Sequence, residues 1–247
     1  GGGLESRCAC HRGRAGTNPP RSGSSHRAKQ EVQSTNVAVA VHSRDTVRAF
    51  KLAPRDRETI RAILADANQA PSWANTQPCE IFVGSGEPLE KLRRSFLENF
   101  HKGVPGNSDL PRPQQWPEAI DKRMRRQYAS RSRYLAIDRD DQEARRAMVE
   151  NNHNVFGAPT VLYLCMDSSL TPWSMHDLGM MAQSIMLAAR ERGVSSAIAY
   201  NLVIYPELIR NELKIPAALP IVIGIAAGYA ASGDRQNRFP SARRPLA

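Results

Sequence analysis

The chain has 247 residues, enough for one large domain or two small ones with a sizeable core. Hydrophobic residues make up 41% and charged residues 23%, the balance of a soluble globular protein, and no uninterrupted apolar run reaches the roughly eighteen residues of a membrane span. Net charge is +10, but half of that excess lies in residues 1–30, where Arg7, Arg12, Arg14, Arg21, Arg27 and Lys29 face Glu5 alone, so it says little about partners of the folded part.

Residues 1–34 are rich in Gly, Ser, Arg and Pro and hold almost no large apolar side chains. Such a segment cannot offset the entropy of ordering and reads as a disordered basic tail. Its Arg- and Ser-rich, acid-poor character raises a transit peptide, yet it lacks an amphipathic stripe, and a boundary artefact accounts for it equally well. Cys8, Cys10, Cys79 and Cys165 are too few and scattered for a disulfide framework, which suits a reducing compartment, the cytoplasm. Cys8-Ala9-Cys10-His11 lacks a second ligand pair, so no metal site is expected.

Ser34 or Thr35 can cap a short helix through Val37, Val41 and His42. Arg44-Asp45-Thr46-Val47-Arg48-Ala49-Phe50 follows. Asp56 can cap a helix over 56–69, with Ile60, Ile63, Leu64 and Ala67 on one face. Pro71 ends it by biasing Ala70 away from the α region. The loop Pro71-Ser72-Trp73-Ala74-Asn75-Thr76-Gln77-Pro78 then carries four small polar side chains. They can satisfy local backbone groups as a plain turn does, or read a polar ring edge. Glu80–Val83 reads as a strand ending at Gly84-Ser85-Gly86, and Pro88 suits the first turn of a helix with Leu89, Leu92 and Phe96 inward.

Residues 103–117 read as a surface loop. Residues 118–150 carry clustered charge of both signs, which favours a solvated helical face over a nucleic-acid surface. His153 sits among amides; a general-base role is conceivable, a surface position the simpler reading. Thr160–Met166 is an apolar run of strand length. Asp177–Arg192 is the strongest helix, apolar nearly all round and so buried on most sides. Asp177 sits where an N-terminal cap belongs and Gly193 where a left-handed C-terminal cap does. Its methionines read as core packing rather than a cofactor box. A strand over 193–199 is broken by Tyr200-Asn201, a helix runs from Glu207 to Leu213, and Leu219–Ala227 is an apolar strand closed by Gly228-Tyr229.

Two of these stretches, R-D-T-V-R-A-F at 44–50 and A-P-S-W-A-N-T-Q-P-C at 70–79, together resemble the opening of the nitroreductase family of FMN-dependent oxidoreductases. That family pairs Arg-x-Ser-x-Arg-x-Phe with Ala-Pro-Ser-x-x-Asn-x-Gln-Pro-Trp; here Thr46 stands for the Ser and Cys79 for the Trp. Phe156-Gly157-Ala158-Pro159 before a central strand, the apolar strand into Gly228-Tyr229, then Asn237 and Arg243, extend the likeness over 35–247. The nitrobenzoate-reductase branch is the most similar.

The resemblance implies an α+β fold with a central mixed, mainly antiparallel sheet wrapped by helices, in a domain-interlocked homodimer binding FMN. By it, Arg44 and Arg243 would grip the phosphate with Thr46 beside them, Asp45 belongs to the same motif, and Arg48 faces the N1–O2 edge of the ring. Pro71, Ser72, Trp73, Asn75 and Gln77 would reach the FMN held by the partner's Arg44, and backbone N–H groups around Ala199, Tyr200 and Asn201 would point at N5. No catalytic side chain is implied, since the flavin carries the hard step. The absence of a G-x-G-x-x-G stretch fits NAD(P)H as a transient donor. The implied activity is ping-pong hydride transfer from NAD(P)H to a nitroaromatic, quinone or related acceptor, with no nucleic acid or membrane partner. Trp73 and Cys79 depart from the family pattern and leave the acceptor open. The alternatives are other flavin chemistry on the same fold, such as dehalogenation or dehydrogenation, or a non-catalytic flavin-binding or regulatory protein.

Overall fold

The computed structural model describes residues 37–53, 56–138 and 140–245. The tail expected over 1–34, with its proposed cap at Ser34 or Thr35, lies outside the described residues. Seven α-helices are described: α1 (Val37–Ser43), α2 (Arg57–Ala67), α3 (Gly86–His101), α4 (Glu118–Leu135), α5 (Gln142–His153), α6 (Pro172–Glu191) and α7 (Pro206–Leu213). They surround a sheet of β1 (Glu80–Ser85), β2 (Thr160–Cys165), β3 (Ser195–Ala199) and β4 (Ile221–Gly228), in the order β1-β2-β4-β3.

All three strand pairings are antiparallel. The parallel component of the expected mixed sheet is a single bridge, Thr46 to Ser196, by which the segment 44–50 runs alongside β3.

β2 explains why its sequence reads as an unbroken apolar run. Alternate side chains point to opposite faces of a strand. Val161, Tyr163 and Cys165 join the core under α3 and α7 with Leu89, Phe96, Leu202 and Ile209. Leu162 and Leu164 join the other, under α2 and α6, with Ile60, Ile63, Leu178 and Ile185. A strand covered on both faces has no polar side.

Helix α2 is capped as its sequence dictates: the Asp56 carboxylate accepts the Thr59 N–H at 2.6 Å. Helix α6 ends at Gly193 (φ 66°), with Val194 N–H donating to Ala189 O at 2.9 Å and Gly193 N–H to Arg190 O at 3.0 Å, a Schellman closure. Its start differs from expectation. Pro172 opens the helix at its first turn, so Asp177 is not the cap but a buried residue one turn further in. His153 is also corrected: it is buried, its ring 4.7 Å from Phe100 and 6.1 Å from Tyr205, and its Nδ1 lies 3.0 Å from the carbonyl of Val149. It serves packing at the end of α5.

Candidate functional site

The segment 44–50 is held to the sheet from several sides. Val47 N–H donates to Ser196 O (3.0 Å), Ala231 N–H to Ala49 O (2.9 Å), and Lys51 N–H to Tyr229 O (2.8 Å). Asn237 adds a side-chain clamp: its Oδ1 accepts the N–H groups of Arg48 (2.8 Å) and Ala49 (3.1 Å), and its amide donates to Ala49 O (2.8 Å). The amide of Asn151 donates to Arg48 O at 2.8 Å. Side chains at 44, 46 and 48 therefore project from a fixed backbone.

Arg44 lines a cleft of about 150 Å³ together with Ser43, Asp45, Arg190, Ser195, Ser196 and Asn237. Arg190, at the end of α6, is a member that sequence reasoning missed; its Nε donates to Ser43 Oγ at 3.0 Å. Arg48 is half-buried, and burial followed by the nearby charge of Arg131 lowers its pKa to about 10, leaving it cationic at neutral pH. Arg131, on α4, is likewise lowered, first by burial. Its Nε is buried without a hydrogen-bond partner, and its Nη2 makes only a long 3.4 Å contact with Gln236. Nothing in the local pattern of α4 distinguished Arg131 from its charged neighbours.

The loop 71–77 is shaped by its own polar groups. Ser72 Oγ accepts the Gln77 N–H (3.0 Å) and Gln77 Nε2 donates to Asn75 O (3.3 Å). Ala74, Asn75 and Gln77 all have positive φ, at 47°, 57° and 49°. Left-handed backbone is costly for residues with a Cβ, and such strain concentrates at functional loops. Asp177 holds the loop to α6, its Oδ2 accepting the Trp73 N–H at 3.2 Å. Pro71, Trp73, Asn75 and Gln77 are exposed, Trp73 to 78%.

At the end of β3, Ala199, Tyr200 and Asn201 turn into a 3-10 segment and are half-buried. The Tyr200 hydroxyl is hydrogen-bonded to Ser108 Oγ. The Arg112 guanidinium lies 3.6 Å from the Tyr200 ring centroid and donates to Asn201 Oδ1 at 2.9 Å. Ser108 and Arg112, from the 103–117 loop, thus pack against this corner. The same stretch is anchored by Asp109, whose carboxylate accepts from Arg210 (2.6 Å) and from the Ile221 N–H (2.7 Å).

The structure brings Arg44 and Asp45 into one cleft, with Thr46 and Arg48 on the same clamped segment. It does not bring Arg243 there. That side chain is exposed, and its guanidinium donates to the carbonyls of Ser241 (2.9 Å) and Ala242 (3.4 Å) in its own segment. The loop 71–77 does not line this cleft either. A larger cavity of about 380 Å³, lined by Phe100, His101, Gly103, Arg145, Arg146 and Val149, contains none of the expected site residues.

The donor set suits a phosphorylated, anionic ring cofactor. Guanidinium forks favour phosphate and planar anions, and among the described residues no carboxylate hydrogen-bonds the two half-buried arginines at the Arg48 corner. Residues 41–229 match the model of the nitroreductase family, and the chain belongs to that family. It is 32% identical over 209 residues to the 4-nitrobenzoate reductase of Pseudomonas putida, covering 83% of this chain and 88% of that protein. To the nitrobenzene nitroreductase of Ectopseudomonas oleovorans it is 30% identical over 210 residues, covering 83% and 92%. Among solved structures, the FMN-dependent nitroreductase NfnB of Mycobacterium smegmatis, in complex with NADPH, superimposes with a TM-score of 0.80 at 26% identity, covering 85% and 94%. The FMN- and NADPH-dependent nitroreductase NfnB of a Sphingopyxis strain gives 0.79 at 30% identity, covering 86% and 96%.

Proposed function

We propose that this chain is an FMN-dependent oxidoreductase that takes hydride from NAD(P)H and delivers it to nitroaromatic, quinone or related acceptors. The observation that carries this reading is the clamped 44–50 segment, which presents Arg44 and Arg48 from a backbone locked by Asn237, Asn151 and Ser196.

FMN bound here supplies reversible two-electron chemistry. The residues do the rest. Arg44 and Thr46 would hold the phosphate. Arg48, cationic at neutral pH, would place positive charge beside the ring. Backbone N–H groups around Ala199, Tyr200 and Asn201 would face the ring and orient it. Neither a nucleophile nor a metal is required of the protein.

A second subunit completes the site in this reading. A 150 Å³ cleft falls short of the ~300 Å³ or more that a cofactor-sized ligand occupies. The loop that should read the ring, 71–77, is exposed, and so is Trp173, to 83%, at the start of α6. Val37, Val39 and Val41 of α1 are exposed as well. Exposed apolar surface of this kind suits a subunit interface. The working unit is therefore a homodimer of the 35–247 domain, in the cytoplasm by its cysteine usage.

The test is a titration with FMN followed by NADPH oxidation with 4-nitrobenzoate and with nitrobenzene. Binding, quenched flavin fluorescence and acceptor-dependent turnover with parallel-line kinetics are expected. A protein that stays colourless after incubation with FMN sinks the reading, and Arg44→Ala should weaken FMN binding by at least tenfold.

A further inference from the structure

We propose that Arg131 of α4 joins Arg48 to form a paired-guanidinium seat for the anionic ring edge of the flavin. The inference deepens the FMN reading and rests on it.

Two geometric facts place the pair together. Arg131 reaches Gln236, and the adjacent Asn237 clamps the Arg48 backbone. Helix α4 is fastened to the same C-terminal segment elsewhere, by Gln127 Nε2 donating to Ser241 Oγ (2.9 Å) and Arg235 donating to Tyr134 O. The side chain of Arg131 is thus carried to the Arg48 corner by a built contact rather than by chance.

The electrostatics of the corner are unfavourable as they stand. Buried charges are ordinarily paired. Here the charge that bears on Arg48 is another guanidinium, and no carboxylate is among the groups that act on either arginine. Arg131 Nε, a donor shut off from solvent, has no acceptor. An N–H left without a partner in such a place costs about 1–3 kcal/mol. A planar anion at the two forks would supply the negative charge that this corner lacks. A reduced flavin ring carries its negative charge along such an edge, whereas the oxidised ring is neutral there. The pair should therefore favour the reduced cofactor over the oxidised one.

The experiment uses the full chain loaded with FMN, comparing wild type with Arg131→Met and Arg131→Lys. Midpoint potentials and FMN-induced melting shifts are measured, with circular dichroism to confirm folding. Arg131→Met should weaken binding of reduced relative to oxidised FMN by about tenfold, which lowers the two-electron potential by ~30 mV. Its apo form should melt no lower than wild type, because a repelling charge has gone, while its gain on adding FMN shrinks. Arg131→Lys should recover part of the potential. Arg131→Met with FMN bound and an unchanged potential overturns the seat. Riboflavin and FMN should lose affinity alike; a loss confined to FMN would assign Arg131 to the phosphate and also overturn it. A wild-type protein that takes up no flavin sinks the functional reading itself, a result told apart from the others before any variant is made.

Discussion

The side chain of Asn237 bonds the backbone of Arg48, accepting its N–H at 2.8 Å across 189 positions of sequence. The same oxygen accepts the Ala49 N–H, and the same amide donates to Ala49 O and, at 3.4 Å, to Ala231 O. One asparagine thus fixes the segment that carries the proposed cofactor arginines.

Replacing Asn237 by Ala removes all of these bonds and leaves two half-buried N–H groups without an acceptor. The expected cost is about 2–4 kcal/mol, from two unsatisfied donors at 1–3 kcal/mol each, partly offset by water. FMN affinity should fall at least tenfold with it. Asn237→Asp keeps the acceptor and loses the donor, so it should lie between. Thermal melts with and without FMN distinguish these cases; an Asn237→Ala protein with native affinity would show that the clamp does not order the site.

The Asp177 carboxylate makes a different tie, holding the Trp73 N–H at 3.2 Å and so joining the strained loop to α6. Asp177→Ala should free residues 71–77. The expected signature is a change in KM for aromatic acceptors and faster proteolytic nicking in the loop, with a modest loss of stability, about 1–2 kcal/mol. Asp177→Asn retains an acceptor oxygen and should restore the loop. Peptide mapping after brief proteolysis checks it.

Much of the architecture could be read from residue order, for identifiable reasons. The Asp56 cap, the two-faced apolar run 160–166 and the Gly193 closure each rest on local chemistry that one window of sequence contains. Asp177 and His153 were misread because their roles depend on contacts far along the chain. A carboxylate near a helix start looks like a cap until Pro172 proves to be the start, and a histidine among amides looks exposed until Phe100 and Tyr205 enclose it. The site was legible where the motif is contiguous, at Arg44–Arg48. Arg131 and Arg190 left no signal because each is one basic residue among several on a charged helix face. Only the folded chain sets Arg131 at the Arg48 corner and Arg190 at the cleft.

Gly228 gives a prediction about packing. A Cβ at this position would lie 2.6 Å from Pro159 Cδ and 3.1 Å from Phe50 Cδ1, where the end of β4 passes the Phe156–Pro159 turn and the 44–50 segment. The proline ring cannot withdraw without moving backbone. Gly228→Ala should therefore cost about 1–3 kcal/mol through overpacking. In a domain of this size that is a fall in Tm of roughly 2–4 °C per kcal/mol. Differential scanning calorimetry reads it directly, and a Tm equal to wild type would mean the turn yields freely.

Cys79 gives the last prediction, one that depends on pH. It stands where the family motif has Trp, half-buried and packed against the α2–α6 core. Burial, reinforced by the charge of Glu80, pushes its thiol pKa up from about 9 to about 12. The thiolate is the reactive form, so Cys79 should resist alkylation at pH 8 while the protein is folded. The sign of the linkage follows from the raised folded value. Below pH 9 the thiol is protonated in both states and its contribution to stability is fully present. As pH rises from 9 toward 12 the unfolded state loses the proton first, so stability falls through that window. Cys165, raised by burial in the same way, adds to the loss. Iodoacetamide labelling with peptide mapping at pH 8 should leave both thiols unmodified until denaturant is added. Denaturation midpoints measured between pH 9 and 11 should decline, and Cys79→Ser should flatten part of that decline. Rapid labelling of Cys79 in the folded protein would show that the thiol is not held in its neutral form.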